Sequence, residues 1–152
     1  MHSLSELLKL HRDLDVVFTR HQHALLHFKF DEAAQLLRDY RDRLERHMAF
    51  EEGTLLPLYT ERVSIEKGGE AKLFLDEHEK MKNFVQLFIT ATDQLKSDTS
   101  PEDALLTLLD REFFYLKLCS HHDTREARFL YAGLDAVTSD AERTDLVNAS
   151  HV

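Results

Sequence analysis

The sequence predicts an all-α fold: an up-down-up-down four-helix bundle with a pseudo-repeat of two αα-hairpins. The bundle is expected over residues 1–135, with a polar C-terminal tail or short helix over 136–152. Three observations carry this. Only 4 glycines and 2 prolines interrupt 152 residues, which favours long continuous helices. Leucine and aromatic residues recur at the i, i+3, i+4, i+7 spacing of one helix face. The two halves also repeat one another. His11 aligns with His78 at an offset of 67, while Tyr40, His47, Glu51 and Leu55 align with Tyr115, His122, Glu126 and Leu130 at an offset of 75. Short connections between such helices give antiparallel neighbours.

The first helix has Ser3 or Ser5 available as N-cap, and Leu4, Leu7, Leu8, His11, Leu14 and Phe18 line one face on to Leu25. Asp31 is an expected N-cap for the second helix. That helix carries Ala34, Leu37, Tyr40, Leu44, His47, Glu51 and Leu55 and is expected to break near Pro57. Gly68-Gly69 marks an interior turn. The third helix then carries Ala71, Phe74, Leu75, His78, Met81, Val85 and Phe88. The segment from Ser97 to Glu102 reads as a loop with Pro101 at a helix start. The fourth helix runs to about Leu134 with Leu105, Leu108, Phe114, Tyr115, Leu118, His122, Glu126, Phe129 and Leu130 on its stripe.

Bulk properties exclude several function classes. A net charge of −9 argues against nucleic acid and against an anionic membrane surface, both of which call for a basic face. No apolar run approaches the roughly 20 residues of a membrane span. The N-terminal residues lack the pattern of a secretory signal, so the cytoplasm is the expected compartment. Cys119 is the single cysteine, which rules out a disulfide framework and a thiolate metal cage. A bundle of this size is expected to be a monomer or a weak homo-oligomer.

The chemistry lies in two phrases of the form His-x-x-x-Glu: His47 to Glu51, and His122 to Glu126. Residues four apart on a helix are neighbours, so each phrase presents an imidazole beside a carboxylate. His11 and His78 stand upstream, each within an apolar stripe. A lone histidine on such a face is usually a satisfied core residue. Four in register with two glutamates are not, because buried carboxylates need a cation or a partner. The candidate metal ligands are therefore His11, His47, Glu51, His78, His122 and Glu126. Six donors suit two ions with the glutamates bridging, and mixed nitrogen and oxygen donors suit iron, manganese or zinc. The ferritin-like Glu-x-x-His phrase is missing: none of the ten histidines has a glutamate three residues before it.

The order His, His-x-x-x-Glu, His, His-x-x-x-Glu resembles the hemerythrin-like (HHE cation-binding) domains. The surrounding text agrees: "LLKLHRDLD", "RLERHMAFEEGTLLPLY", "FLDEHEKM" and "LCSHHDTREARFLYAGLD". The resemblance implies two iron ions in an oxo- or hydroxo-bridged di-iron centre held by those six residues. It also implies a small-molecule ligand: dioxygen, hydrogen peroxide or nitric oxide. Oxygen-carrying hemerythrins have His-x-x-x-His on the third helix, where this chain has Phe74, and end with His-x-x-x-x-Asp, where this chain has Glu126. The four-histidine, two-glutamate pattern is more similar to the branch linked to oxidative and nitrosative stress, iron–sulfur cluster repair and catalase-like activity. The resemblance leaves catalase- or peroxidase-like turnover and a non-catalytic oxygen or iron sensor both open.

Other polar residues have plainer expectations. Tyr40 and Tyr115 fit core packing with a polar tip, and Cys119 fits a small buried hydrophobe. Glu52, 100° around the helix from Glu51, is expected at the surface or behind the ligands. His21, His23 and His27 are assigned to a solvated face, as is His121. Arg125 and Arg128 are expected to compensate surface carboxylates.

Overall fold

The computed structural model describes residues 2–151, and every regular element among the described residues is helical. Ser3 caps a 3₁₀ turn, Leu4–Leu7, which feeds α1 (Leu8–Leu26). A tight turn with Phe28 at φ 59 leads to α2 (Phe30–Phe50). Asp31 is not the cap. Lys29 holds that position, and Asp31 sits in the first turn, where a negative charge favours the helix N-terminus.

Pro57 does not end the second helix. A π turn, Glu51–Leu55, joins α2 to α3 (Leu56–Arg62) with Pro57 in the first turn of α3. The Leu56 N–H reaches back five residues to the Glu51 carbonyl. Proline has no N–H, so one missing bond is absorbed at the junction rather than in a helix interior. The Gly68-Gly69 turn follows as expected. Gly68 has φ 97, and a Cβ at Gly69 would lie 2.7 Å from Tyr59 Oη. That hydroxyl donates to the Gly69 carbonyl at 2.6 Å.

Next come α4 (Ala71–Leu95) and α5 (Glu102–Arg125), the latter capped at Pro101. A second π turn, Glu126–Tyr131, connects α5 to α6 (Ala132–Val137). The C-terminal segment forms α7 (Asp140–Ala149), with a capping box between Ser139 and Glu142. Arg143 ties α7 back to the start of the chain through the His2 carbonyl. No helix among the described residues is long and apolar enough to cross a membrane.

Packing links α1 to α2, α2 to α4, α4 to α5 and α1 to α5. The core has two parts. One gathers Leu14, Leu44, Met48, Met81 and Cys119, and the other Leu7, Leu55, Phe74 and Leu130. On each of the four long helical runs the site residues fall between these parts. Along α1 the order is Leu7, His11, Leu14, and along α4 it is Phe74, His78, Met81. A polar layer thus interrupts the apolar stripes at one level. Leu75 and Phe114, assigned to inward stripes, instead face solvent at 39% and 62% exposure, being at the margins of their faces.

A candidate metal-binding cluster at the level of the two π turns

The two π turns start at the two glutamates of the His-x-x-x-Glu phrases, Glu51 and Glu126. The pseudo-repeat therefore extends to backbone geometry that periodicity cannot reveal. All six candidate ligands converge. His11 Nε2 lies 3.0 Å from His47 Nε2 and 3.3 Å from Glu126 Oε1. His47 Nε2 is 3.2 Å from Glu51 Oε1, which is also 3.4 Å from His78 Nε2. His122 Nε2 is 3.1 Å from Glu126 Oε1. Each carboxylate thus reaches histidines of both pairs.

Two sets of four donors can hold a metal ion: His11, His47, Glu51 and Glu126, and Glu51, His78, His122 and Glu126. Within each set the ligand atoms lie within 4.8 Å of one another, and both sets contain both glutamates. Glu51 Oε1, His78 Nε2 and both oxygens of Glu126 are buried without a hydrogen bond. Unpaired atoms of this kind are costly, and a cation would satisfy them together.

The protein alone shows the strain of this arrangement. Burial pushes Glu126 well above the usual carboxylate range, and the negative charge of Glu51 adds to it. Burial works to raise Glu51 too, but the His47 imidazole and the other polar groups facing it in the cluster hold it well below that range. At His78, burial opposes the charged form, yet the Glu126 and Glu51 carboxylates facing its Nε2 outweigh it and raise the imidazole to about 9.

Two histidines are oriented by carboxylates on another helix, and a third lies beside one without a hydrogen bond. His78 Nδ1 donates to Glu52 Oε2 at 3.0 Å, and His122 Nδ1 to Glu77 Oε1 at 3.0 Å. His11 Nδ1 is 3.0 Å from Asp123 Oδ1. Such hydrogen bonds fix the ring and turn the Nε2 lone pair inward. Glu52 thus stands behind a ligand, one of the two places foreseen for it. Glu77 and Asp123 were not foreseen, although each is adjacent in sequence to a site histidine. Burial works to raise Glu77, but its bond from His122, with Arg125 beside it, holds its carboxyl low. Arg125 also donates to the Gly68 carbonyl at 2.9 Å, so it braces this cluster and the glycine turn rather than a surface charge. Arg128 stacks over Phe129.

Tyr131 is a further unforeseen member. Its hydroxyl donates to Glu51 Oε2 at 2.8 Å and lies 3.1 Å from His11 Nε2. On a regular α-helix a residue five after Glu126 would point elsewhere, and the π turn brings it onto the site face. In the other half the equivalent residue is Leu56, so the two halves differ.

A narrow cavity of about 20 Å³ is lined by all six donors together with Asp15, Asp123, Tyr40, Cys119 and apolar side chains. A single water needs roughly 10–15 Å³, so the space suits one small molecule or ion. Partial desolvation at the cavity edge, helped by the Asp123 charge, raises the Asp15 carboxyl. Tyr40 and Tyr115 share a 2.6 Å hydrogen bond between hydroxyls in the core. Burial pushes the Cys119 thiol up to about 12, as befits a packed hydrophobe.

One histidine assignment is overturned. His21 is completely buried, not on a solvated face. Its Nδ1 donates to the Ala33 carbonyl at 2.8 Å and its Nε2 to Glu112 Oε2 at 2.8 Å. Glu112 is also completely buried. The signal was present: His21 is three residues after Phe18 and seven after Leu14, and Glu112 is four after Leu108. His23, His27 and His121 are exposed, as expected.

Comparison with protein-family models, with curated proteins and with solved structures found no match to this chain.

Proposed function

We propose that this chain is a hemerythrin-like non-haem di-iron protein, built as an up-down-up-down four-helix bundle. In this reading it binds or reacts with a small oxidant in oxidative or nitrosative stress or iron handling. The observation that carries the reading is the pair of donor sets sharing both buried glutamates. Two ions held between two carboxylates account for duplicated histidine pairs better than one ion, which would leave donors unused. The closed circuit of packing from α1 through α2, α4 and α5 back to α1 supports the bundle. The cytoplasm is the compartment we propose, consistent with one unpaired, buried cysteine.

Here His11 and His47 would hold one ion and His78 and His122 the other, with Glu51 and Glu126 between them. Iron bound there would supply reversible electron transfer to the oxidant. The residues supply the remainder. Glu52 and Glu77 orient two of the imidazoles, Asp123 places a negative charge beside His11, and the apolar residues around the cavity keep out bulk water. Tyr131 holds a proton at its hydroxyl, 2.8 Å from Glu51. The cavity, at about 20 Å³, admits only a small molecule, which supports dioxygen, hydrogen peroxide or nitric oxide as the proposed ligand.

The test is metal analysis of protein purified without a histidine tag, then anaerobic reconstitution with ferrous iron. Two irons per chain are expected. One tightly held zinc, with no affinity for iron, would overturn the di-iron reading. Peroxide consumption by the reconstituted protein, lost in His122→Ala, would favour an enzyme over a non-catalytic sensor.

A further inference from the structure

The two halves of the site are alike in their donors but not in what surrounds the cavity. Beyond the six donors, the only charged residues lining it among the described residues are Asp15 and Asp123. Asp15 is one helical turn beyond His11 and is exposed, so it stands where the cavity meets solvent. Asp123 is deeper, with its side chain 32% exposed and its carboxylate 3.0 Å from His11 Nδ1. Behind both are the unpartnered oxygens of Glu126, a side chain only 1% exposed. The pseudo-repeat does not reproduce this pair. Lys82 occupies the place equivalent to Asp15, ion-paired to Glu79 at 2.9 Å, and Met48 the place equivalent to Asp123.

We propose that Asp15 and Asp123 form a capture site for divalent cations at the mouth of the cavity, through which the buried cluster is loaded from the His11 side. This rests on the metal-binding reading above. The cavity, at about 20 Å³, cannot pass an ion with its full water shell. An ion that sheds water must find other oxygen ligands during passage, because a bare charge at a protein surface is costly. Asp15 supplies the first carboxylate, Asp123 the second and Glu126 the third, in order of increasing burial. The opposite half offers a lysine at the corresponding rim, which repels a cation. Side chains at His78 and His122 are 1% and 3% exposed, against 8% at His11 and His47. The accessible side of the cluster is therefore the one with the carboxylate pair.

The experiment follows uptake of cobalt(II) by the metal-stripped full chain in stopped flow, and its transfer from the loaded chain to excess EDTA. Wild type is compared with Asp15→Asn and with Asp13→Asn, an exposed acid on the same helix outside this cavity. Charge lining a cleft speeds association by a factor of about ten or more. Asp15→Asn should slow uptake about tenfold at low salt, with the deficit shrinking as salt screens the charge. Release should slow as well, and final metal content should match wild type. Asp13→Asn should load at the wild-type rate. Equal uptake by Asp15→Asn and wild type, or equal slowing in Asp13→Asn, would overturn the capture site while leaving the metal cluster intact. Lowered final content in Asp15→Asn would make Asp15 a ligand and overturn it too. A wild-type chain that takes up no cation would overturn the metal reading itself, and the capture site with it.

Discussion

Glu52 accepts a 3.0 Å hydrogen bond from Nδ1 of His78, a residue on a different helix. The relationship repeats around the molecule. The segment after α2 orients a histidine of α4, Glu77 of α4 orients His122 of α5, and Asp123 of α5 faces His11 of α1. Each helper adjoins a site residue of its own helix, so one step of sequence passes the support to the neighbouring helix. The circuit is hydrogen-bonded at His78 and His122, reduced to proximity at His11, whose Nδ1 lies beside Asp123 without a hydrogen bond, and missing at His47. His47 Nδ1 is buried without a partner, and Leu10, in the place equivalent to Glu77, lines a surface pocket with His47.

Removing a carboxylate from the centre of the cluster should matter more than removing one behind it. Glu51→Ala or Glu126→Ala should abolish most metal binding, since each glutamate belongs to both donor sets. Glu52→Ala should keep metal but weaken affinity by about 10–100-fold, the usual cost of an outer partner to a ligating histidine. Competition with a chromophoric chelator measures all three. Equal loss in Glu52→Ala and Glu51→Ala would show that Glu52 is itself a ligand.

Completing the circuit should strengthen the site. Leu10→Glu places a carboxylate where the neighbouring helices already have one, and His47 Nδ1 is waiting for an acceptor. Metal affinity should rise, within the same roughly tenfold or greater range that such partners contribute. Affinity unchanged in a folded Leu10→Glu chain would mean that His47 needs no orienting partner.

The long helices and the six converging donors were legible in the sequence because both depend on periodicity. His11, His47, His78 and His122 sit in register with leucine and phenylalanine, and that register is the fold. The π turns were not legible, since they change the period at Glu51 and Glu126, and so Tyr131 was invisible. Pro57 misled for the same reason: it reads as a helix end, but a π turn just before it lets the chain continue. Asp123 and Glu77 were hidden differently. They act across helices, and pairing between helices is a property of packing that no single stripe records. His21 was a different kind of miss, a polar residue on the apolar register whose partner, Glu112, lies 91 residues away.

Cys119 should behave as a buried thiol rather than a redox group. Burial moves it from the ordinary 9 to about 12, so the folded chain keeps this proton while the unfolded chain loses it. The stability it contributes is full below pH 9 and disappears as pH rises toward 12. At pH 8.5 the native thiol should carry about a thousandfold less thiolate than an exposed one. Iodoacetamide should therefore label Cys119 only in denaturant. Rapid labelling of the native chain would show that the thiol is accessible and ionised.

The buried His21–Glu112 pair offers the sharpest test of what holds α1, α2 and α5 together away from the candidate metal site. Both ring nitrogens of His21 face acceptors, the Ala33 carbonyl and the Glu112 carboxylate, so the pair shares one proton beyond a neutral imidazole. Neither side chain reaches solvent. Glu112→Leu alone leaves Nε2 with no buried acceptor and should destabilise by roughly 3–5 kcal/mol. For a chain of this length that lowers the melting temperature by about 10 °C or more. The double change His21→Leu with Glu112→Leu removes both polar ends and should recover much of the loss, since the Ala33 carbonyl lies within α2 and the Gln22 amide that donates to Glu112 is only part-buried. The two singles and the double, melted in metal-free buffer, form a double-mutant cycle. If the double is as unstable as the sum of the singles, the two side chains are not coupled and the pair is incidental to the fold.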